Sequence, residues 1–338
     1  MNKVAVAILN WNGKKFLEQF LPSVLQHSSN DAAIYVIDNG STDDSIAFLQ
    51  QKYPSIKVII NNKNHGFAGG YNQGLKNIDA EYFVLLNSDV EVTANWIRPV
   101  IDLMKQSNLI AACQPKIKDY NKKSHFEYAG AAGGMMDDFG YTFCKGRLFD
   151  TIEEDNGQYN KASEIFWASG ACMFIRADVF KSFNGFDEDF FAHMEEVDLC
   201  WRIKNTGYKI MYCHESTVYH VGGGTLHKSN PHKTFLNFRN NLYTIYKNVT
   251  EEKLFRILYL RLFLDGIAGL KFILSFQLKN CIAIIKAHRA FFNELPQLRQ
   301  KRTVLQQQSL HPNKTANYKG MLILEYYLKR KKTYQELT

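Results

Sequence analysis

Short apolar segments alternate with segments of helical periodicity through the first third of the chain. Four apolar segments have the length and composition of buried strands, namely residues 4–9, 34–38, 58–60 and 82–86. Three segments between them repeat apolar residues at helical spacing, namely residues 14–27, 43–53 and 68–77. This alternation predicts an α/β fold with a mostly parallel sheet, flanking helices and right-handed crossovers.

Polar residues stand at the ends of all four predicted strands. They are Asn10, Asp38, Asn61 with Asn62, and Asn87 with Asp89. In open parallel sheets, ligands bind in the crevice at the carboxyl ends of the strands. The sequence therefore predicts a ligand site at this edge of the sheet.

The pattern weakens over residues 116–165, where glycines, acids and aromatics mix without a clear period. We expect irregular structure there that covers the cleft. The chain then returns to regular patterns, which predict an ordered apolar run at 165–175, a helix at 195–205 ended by Gly207, a last strand at 209–212, and mostly helix from 236 onward.

Residues 254–278 are strongly apolar but are interrupted by Arg256, Arg261, Asp265 and Lys271. A membrane-spanning helix needs about 20 predominantly apolar residues, so none is predicted here. An amphipathic helix on a membrane surface and a helix packed on the rest of the protein or in a homodimer both remain open.

The 338 residues are 46% hydrophobic, which is enough for a sizeable core. The net charge of +8 lies largely toward the C-terminus and suits an anionic lipid, a diphosphate or nucleic acid as well as a solvated tail. We predict no nucleic-acid partner. The six cysteines form no C-x-x-C pair and residues 4–9 already resemble core, so we expect a cytoplasmic protein without a signal peptide.

Asn87, Ser88 and Asp89 follow a predicted buried strand directly. Mg²⁺ and Mn²⁺ prefer oxygen ligands, and Mg²⁺ often takes only one or two from the protein and the rest from substrate phosphate and water. Asp89 therefore suits a metal that holds a departing diphosphate. A turn or helix N-cap explains the same residues without a ligand.

Asp38 and Asn39 open the sequence DNGSTDDS after the second strand. The Asp38 carboxylate could accept hydrogen bonds from a pyrimidine ring or a ribose hydroxyl, while Ser41 and Asp43 could cap the next helix. The glycines of NHGFAGGYNQG, residues 64–74, allow close backbone approach to a ligand or to a strand. No G-x-G-x-x-G dinucleotide fingerprint follows the first strand.

Glu195, Glu196 and Asp198 crowd the start of the predicted helix at 195–205. Acids are favoured at helix N-termini, but a carboxylate placed here could also serve as general base for an attacking hydroxyl. Arg202, one turn beyond Asp198, could pair with it or reach a phosphate. His220, followed by Gly222 to Gly224, is a candidate metal ligand.

Together these segments resemble the inverting GT-A glycosyltransferases of the family 2 type, especially the rhamnosyltransferase-like bacterial members. The likeness runs from Val4 to about Thr225 and is carried by seven motifs, VAILNWNG, VIDNGSTDDS, NHGFAGGYNQG, FVLLNSDVEV, WASGACMFIRADVF, GFDEDFFAHMEEVDLCWR and YHVGGGT. It implies a Rossmann-like nucleotide-diphospho-sugar fold with a C-terminal helical extension. It also implies a catalytic domain at 1–230, divided near 115 into a nucleotide-binding and an acceptor half, and an extension at 231–338.

The resemblance also implies roles for individual residues. Asp89 and His220 would bind a divalent metal, Mg²⁺ or Mn²⁺, and Glu196 would be the catalytic base with Glu195 before it. The candidate residues for binding the nucleotide sugar are Asn10, Asp38, Asn39, Ser41, Asn64, Gly66, Asn72, Asn87, Ser88, Asp89 and Arg202. Two positions depart from the family pattern, because Asn87 replaces the first Asp of D-x-D and Glu196 replaces an Asp.

The expected reaction is transfer of a sugar, with inversion, from dTDP-rhamnose or a UDP-sugar to a glycan or lipid-linked saccharide in cell-surface polysaccharide biosynthesis. The expected location is the cytoplasm or the inner face of the cytoplasmic membrane. The alternative is a non-catalytic nucleotide-binding scaffold of the same fold. That class is expected to lack one of the four candidate side chains Asp38, Asp89, Glu196 and His220, all of which are present.

Overall fold

The structure is a computed structural model that describes residues 3–222, 230–309 and 314–338. The loop residues Gly223 and Gly224, discussed above beside His220, lie outside these ranges. The strands are β1 (Val4–Asn10), β2 (Ala33–Asp38), β3 (Lys57–Ile60), β4 (Tyr82–Asn87), β5 (Val90–Val92), β6 (Ile110–Asp119), β7 (Gly134–Asp137), β8 (Thr142–Cys144), β9 (Arg147–Leu148), β10 (Thr151–Ile152), β11 (Ser163–Ile165), β12 (Cys172–Arg176), β13 (Lys209–His220) and β14 (Asn317–Tyr318). The α-helices are α1 (Lys14–Ser28), α2 (Ser45–Lys52), α3 (Gly66–Leu75), α4 (Arg98–Lys105), α5 (Ala177–Ser182), α6 (Glu195–Asn205), α7 (Pro231–Asn248), α8 (Glu251–Leu274), α9 (Leu278–Gln308) and α10 (Tyr334–Leu337).

The larger sheet has the strand order β11-β13-β6-β12-β4-β1-β2-β3, and β5 pairs with the C-terminal end of β13. Strands β3, β2, β1 and β4 run parallel to one another, as the alternation of strand and helix predicts. Strand β12 is antiparallel to both β4 and β6, so the other half of the sheet is mixed. The predicted α/β fold is therefore confirmed, with its parallel half in the first 87 residues.

Both faces of the central strands are buried. In β4, Phe83 and Leu85 join one apolar core, whereas Val84 and Leu86 join the core on the opposite face. Successive strand residues point to opposite faces of a sheet, so a strand covered on both sides is apolar throughout. This explains why the continuous apolar segments, rather than alternating ones, mark the central strands.

The glycines of α3 allow this helix to lie directly on the sheet. A Cβ at Gly74 would overlap the side chain of Ile37 in β2, and a Cβ at Gly70 would lie 2.9 Å from both Leu9 and Asn39. The sequence left two explanations open for these glycines, contact with a ligand or with a strand. Close approach to the neighbouring strands explains both.

Two expectations about the middle of the chain were wrong. Residues 116–165 are not simply irregular, because they contain most of a second, five-stranded sheet with the order β10-β9-β8-β7-β14. The strand predicted as the last one, at 209–212, does not end there, because β13 continues to His220 beyond a register shift between Cys213 and Thr217, and β14 follows it in the chain. Strands β7 to β10 pair with their neighbours along the chain but are only two to four residues long, too short for a clear periodicity. In contrast, β14 and the strand β5 that pairs with the end of β13 are distant in sequence from their partners.

The C-terminal region is mostly helical, as predicted. Helix α7 packs against α6 and α9, and α8 and α9 form an antiparallel hairpin beside it. Among the described residues, we find no helix with a stretch long and apolar enough to cross a membrane.

Candidate active site

Asn10 and Asp38 lie side by side at the ends of β1 and β2, which pair in parallel register. Asn10 Nδ2 donates a hydrogen bond to Asp38 Oδ2 at 3.0 Å, and the Ser41 backbone N–H donates to Asp38 Oδ1 at 2.9 Å. The Asp38 side chain is fully buried. Asn10 Oδ1 is also buried but has no hydrogen-bond partner in the described part of the chain. It is therefore a free acceptor at the predicted ligand edge.

Gly13 packs directly against this free oxygen. A Cβ at Gly13 would lie 2.5 Å from Asn10 Oδ1 and 3.5 Å from Ser88 Oγ. A side chain therefore does not fit between Gly13 and Asn10. Four predicted residues lie together at this edge of the sheet, namely Asn10, Asp38, Ser41 and Ser88.

Amide side chains fix the segment that follows β3. Asn39 Nδ2 donates to Asn64 Oδ1 at 3.0 Å and to the Gly66 carbonyl at 2.8 Å, and Asn61 Nδ2 donates to Asn39 Oδ1 at 3.0 Å. These groups are thus occupied by one another. Their evident function is to hold the loop before α3 beside the Asp38 strand end.

Two other predicted binding residues hold the protein's own groups. Asn72 exchanges two hydrogen bonds with the backbone of Phe186, at 2.9 and 3.0 Å. Arg202 donates to Asp198 at 2.8 Å and to the carbonyls of Phe183 and Gly185 at 2.9 and 2.8 Å. All three guanidinium nitrogens are used, so this arrangement supports the ion pair with Asp198 rather than a contact with phosphate.

Asp89 and His220 are brought together by pairing of β5 with β13, in which His220 is opposite Val90. His220 Nε2 lies 3.1 Å from Asp89 Oδ1 and 3.4 Å from Asn87 Nδ2. The other ring nitrogen, Nδ1, lies 3.4 Å from Glu127 Oε2. Asp89, Glu127 and His220 are all buried, and this group of four side chains stands at the carboxyl end of β4.

The charge state of His220 follows from its two carboxylate neighbours. Burial lowers the pKa of His220, but Glu127 and Asp89 outweigh burial and raise the pKa to about 10. For Asp89, burial raises the pKa, and His220 more than reverses this so that the net pKa is lowered. Without a metal, His220 is therefore protonated at neutral pH and pairs with Asp89, while its Nδ1 lies 3.4 Å from Glu127 without a hydrogen-bond partner among the described residues.

The spacing of Asp89 and His220 fits two ligands of one small cation. Two adjacent ligands of an octahedral Mg²⁺, each about 2.1 Å from the ion, are about 3 Å apart, close to the 3.1 Å between Asp89 Oδ1 and His220 Nε2. The second ring nitrogen of a metal-binding histidine commonly faces a carboxylate, and Glu127 has this position beside His220 Nδ1. The described residues contain no preformed group of three or more His, Cys, Asp or Glu ligands.

Glu195 and Glu196 begin α6 and differ in exposure. Glu195 is buried, whereas Glu196 is half-buried. Burial raises the pKa of Glu196 to about 7, and burial together with the charge of Glu196 raises the pKa of Glu195 well above its usual value. One oxygen of each carboxyl is buried without a hydrogen-bond partner in the described chain. Glu196 can therefore exchange a proton near neutral pH, while Glu195 is protonated.

The segment before Glu195 is strained. Phe191, His193 and Met194 have φ values of 62°, 70° and 72°, a left-handed conformation that is uncommon for non-glycine residues and clusters at functional sites. The Phe191 carbonyl accepts hydrogen bonds from Phe67 and Ala68 at the start of α3, at 2.6 and 3.2 Å. A Cβ at Gly66 would collide with this carbonyl, so Gly66 permits the contact.

Asn240 of α7 holds the same strained segment from the other side. Its Nδ2 lies 2.9 Å from the carbonyls of Phe190 and Ala192 and 2.7 Å from that of His193. Asn240 is fully buried. The helical extension thus contributes directly to the position of the Glu195–Glu196 pair.

Replacing Asn240 with Ala should lower the free energy of unfolding by about 2 to 3 kcal/mol, because three carbonyls lose a buried donor. Urea denaturation followed by circular dichroism measures this change. Asn293→Ala, at an exposed position of α9, is the control and should change stability by less than about 0.5 kcal/mol. Equal effects of the two substitutions would contradict the proposed clamp.

Glu127 lies 3.4 Å from His220, and Asn240 holds the segment before Glu195. The sequence analysis did not identify Glu127 or Asn240, because neither belongs to a motif and both act through contacts distant in sequence.

The family model described as "Glycosyl transferase family 2" matches residues 5–183, which is more than half of the chain. The chain therefore belongs to glycosyl transferase family 2 and is a glycosyltransferase. It is 25% identical over 233 residues to the N-acetylglucosaminyl-diphospho-decaprenol L-rhamnosyltransferase of Mycobacterium tuberculosis, with 64% of this chain and 75% of the relative covered. The expected family resemblance is thus confirmed, and the non-catalytic scaffold is not favoured.

Solved structures share the fold at low sequence identity. TarS 1-349 of S. aureus matches with a TM-score of 0.56 and 14% identity, covering 97% of this chain and 92% of that one. The mannosyltransferase PcManGT of Pyrobaculum calidifontis, solved with GDP-Man and Mn²⁺, matches with a TM-score of 0.53 and 12% identity, covering 90% and 84%. The expected GT-A fold is confirmed.

Proposed function

We propose that this glycosyltransferase moves a sugar, with inversion, from a nucleotide-diphosphate donor to a hydroxyl of a glycan or lipid-linked saccharide. The observation that carries the proposal is the 3.1 Å approach of Asp89 Oδ1 to His220 Nε2. It occurs at the end of β4, which pairs with β1, and at the end of β1 the buried Asn10 Oδ1 has no hydrogen-bond partner among the described residues. A nucleoside diphosphate has hydrogen-bond donors that suit Asn10 Oδ1 and phosphates that suit a metal held by Asp89 and His220.

Asp89 and His220 would hold a divalent metal, as the Mn²⁺ in the PcManGT structure suggests. When bound, such an ion neutralises the charge that develops on the leaving diphosphate. His220 must be neutral to use Nε2 as a ligand, with its proton kept on Nδ1 toward Glu127. Metal binding is therefore expected to release the second proton of His220.

Glu196 is the proposed general base. The acceptor hydroxyl transfers its proton to the Glu196 carboxylate while its oxygen attacks the anomeric carbon opposite the diphosphate. The bond between that carbon and the diphosphate oxygen breaks, and the configuration inverts because only one displacement occurs. A pKa of about 7 suits this function, and the half-buried carboxyl is more accessible than that of Glu195.

The donor and acceptor proposals follow the named relatives. The mycobacterial relative is named as a rhamnosyltransferase acting on N-acetylglucosaminyl-diphospho-decaprenol. We therefore propose dTDP-rhamnose as the donor, with UDP-sugars next, and a lipid-linked saccharide as the acceptor. The reaction then belongs to polysaccharide biosynthesis at the inner face of the cytoplasmic membrane.

Thermal unfolding with dTDP, UDP or GDP, each with and without Mn²⁺, tests donor binding. We expect dTDP or UDP with Mn²⁺ to raise the Tm most, since a ligand at 100 times its Kd stabilises by about 2.7 kcal/mol. Omitting Mn²⁺ should remove most of the shift. If no nucleotide diphosphate raises the Tm, the proposed function is wrong, and if only GDP does, the donor proposal is wrong.

A further inference from the structure

Helix α8 exposes a continuous apolar face. The residues that form it are Phe255, Tyr259, Phe263, Ile267, Leu270 and Leu274, each 48% or more exposed. At about 100° per residue, these positions fall within an arc of about 120°. The opposite face buries Leu254 and Ile257 against α7 and its neighbours. The exposed face therefore takes no part in the packing that holds α8 against the rest of the protein.

The apolar surface continues through the turn into α9. Phe276 in this turn is 94% exposed, and Leu278, Ile282 and Ile285 of α9 are each half or more exposed. We call these four residues and the six of α8 the hairpin surface. A contiguous apolar surface formed by ten exposed side chains on a folded chain marks an interaction site.

The exposed charges around the hairpin surface are mainly positive. From residue 253 to 293, all of which the structure describes, the exposed charged residues are Lys253, Arg256, Lys271, Lys279, Lys286 and Arg289. The one acid in this range, Asp265, is buried and lies within ion-pair distance of Arg261 and His288. Just before this range, Glu251 and Glu252 in the first turn of α8 are exposed acids, so exposed cations outnumber exposed anions around the hairpin surface by six to two.

We propose that the hairpin surface docks this protein on an anionic phospholipid bilayer, lying in the interface rather than crossing it. Apolar side chains enter the headgroup boundary, and flanking Lys and Arg side chains bind lipid phosphates, as in interfacial amphipathic helices. A second copy of the chain is a poorer occupant, because its identical cationic border would repel this one. Docking does not depend on the proposed donor, but it would bring the active site to a lipid-linked acceptor.

Sedimentation of the full-length protein with vesicles tests this inference. We expect binding to vesicles of phosphatidylcholine and phosphatidylglycerol in equal parts, and weaker binding to phosphatidylcholine alone. Lys271→Glu with Lys279→Glu should reduce partitioning to anionic vesicles by at least about 30-fold, since each lost basic residue contributes about 1 kcal/mol near such a surface and each new carboxylate is repelled by it. Leu274→Ser with Phe276→Ser should reduce it at least about 10-fold.

Matched controls are Lys105→Glu with Lys122→Glu and, separately, Leu109→Ser, which change exposed residues far from the hairpin in sequence. They should bind vesicles like the unchanged protein. A far-UV circular dichroism spectrum and a ligand-free Tm like those of the unchanged protein show that the fold of each hairpin variant is intact. The inference is overturned if the unchanged protein binds neither vesicle, if controls and hairpin variants lose binding equally, or if light scattering shows a dimer that Phe276→Ser dissociates without any vesicle binding.

Discussion

Replacing Glu196 with Gln is expected to lower the turnover number by about 10² to 10⁴, the usual contribution of a general base. The amide keeps the shape of the carboxyl but cannot accept the proton of the acceptor hydroxyl. Donor binding should be unchanged, because Glu196 lies on α6 and the proposed donor contacts lie at the strand ends. Steady-state transfer kinetics and the Tm shift with nucleotide diphosphate measure the two effects separately.

The pH profile provides a second test of the same assignment. The pKa of Glu196 is raised to about 7 by burial, so the base is lost as the pH falls through that value. The ratio kcat/KM should therefore rise with pH up to about 7 and then level off. This limb should be absent from the residual activity of Glu196→Gln.

Glu195→Gln is the matched control, because burial and the charge of Glu196 raise the pKa of Glu195 well above its usual value. A neutral acid is then replaced by a neutral amide, and turnover should change by less than about 10-fold. Loss of transfer in Glu195→Gln together with normal transfer in Glu196→Gln would reverse the two roles.

Local patterns in the sequence were sufficient to predict the parallel half of the sheet. The central strands are buried on both faces, so Val4 to Leu9 and Tyr82 to Leu86 are continuously apolar. Parallel pairing then requires their ends to meet at one edge. Asn10 and Asp38 were predicted to lie at one edge of the sheet for this reason, and the register of β1 and β2 pairs them directly.

Contacts between distant segments could not be predicted in the same way. His220 meets Asp89 because β13 continues past a register shift and pairs with the three-residue strand β5. Neither the shift nor so short a strand has a local sequence signal. Glu127 follows β6 in a segment that lacks periodicity, and it reaches His220 only because β13 lies beside β6.

The position of Glu196 shows how the helical extension contributes to the site. The strained turn before α6 is held by α3 through the Phe191 carbonyl and by α7 through Asn240. Asp198 of α6 also accepts from Lys247 and Asn248 of α7, at 2.9 and 2.8 Å. The sequence predicted helices after residue 236, but no pattern showed that one of them would fix the candidate base.

Replacing Asp89 with Ala is expected to lower Mn²⁺-dependent transfer by at least about 10²-fold, comparable to the loss of a major electrostatic contribution to a transition state. The substitution removes the oxygen ligand that lies 3.1 Å from His220 Nε2. His220 alone cannot then hold the metal against the diphosphate. The variant should also lose the Mn²⁺-dependent part of the nucleotide Tm shift, and chelator should reduce the activity of the unchanged protein similarly. Asp102→Ala, which removes an exposed carboxylate on α4, is the control and should retain full activity. Normal transfer by Asp89→Ala, or by the unchanged protein in excess chelator, would show that Asp89 does not bind a catalytic metal.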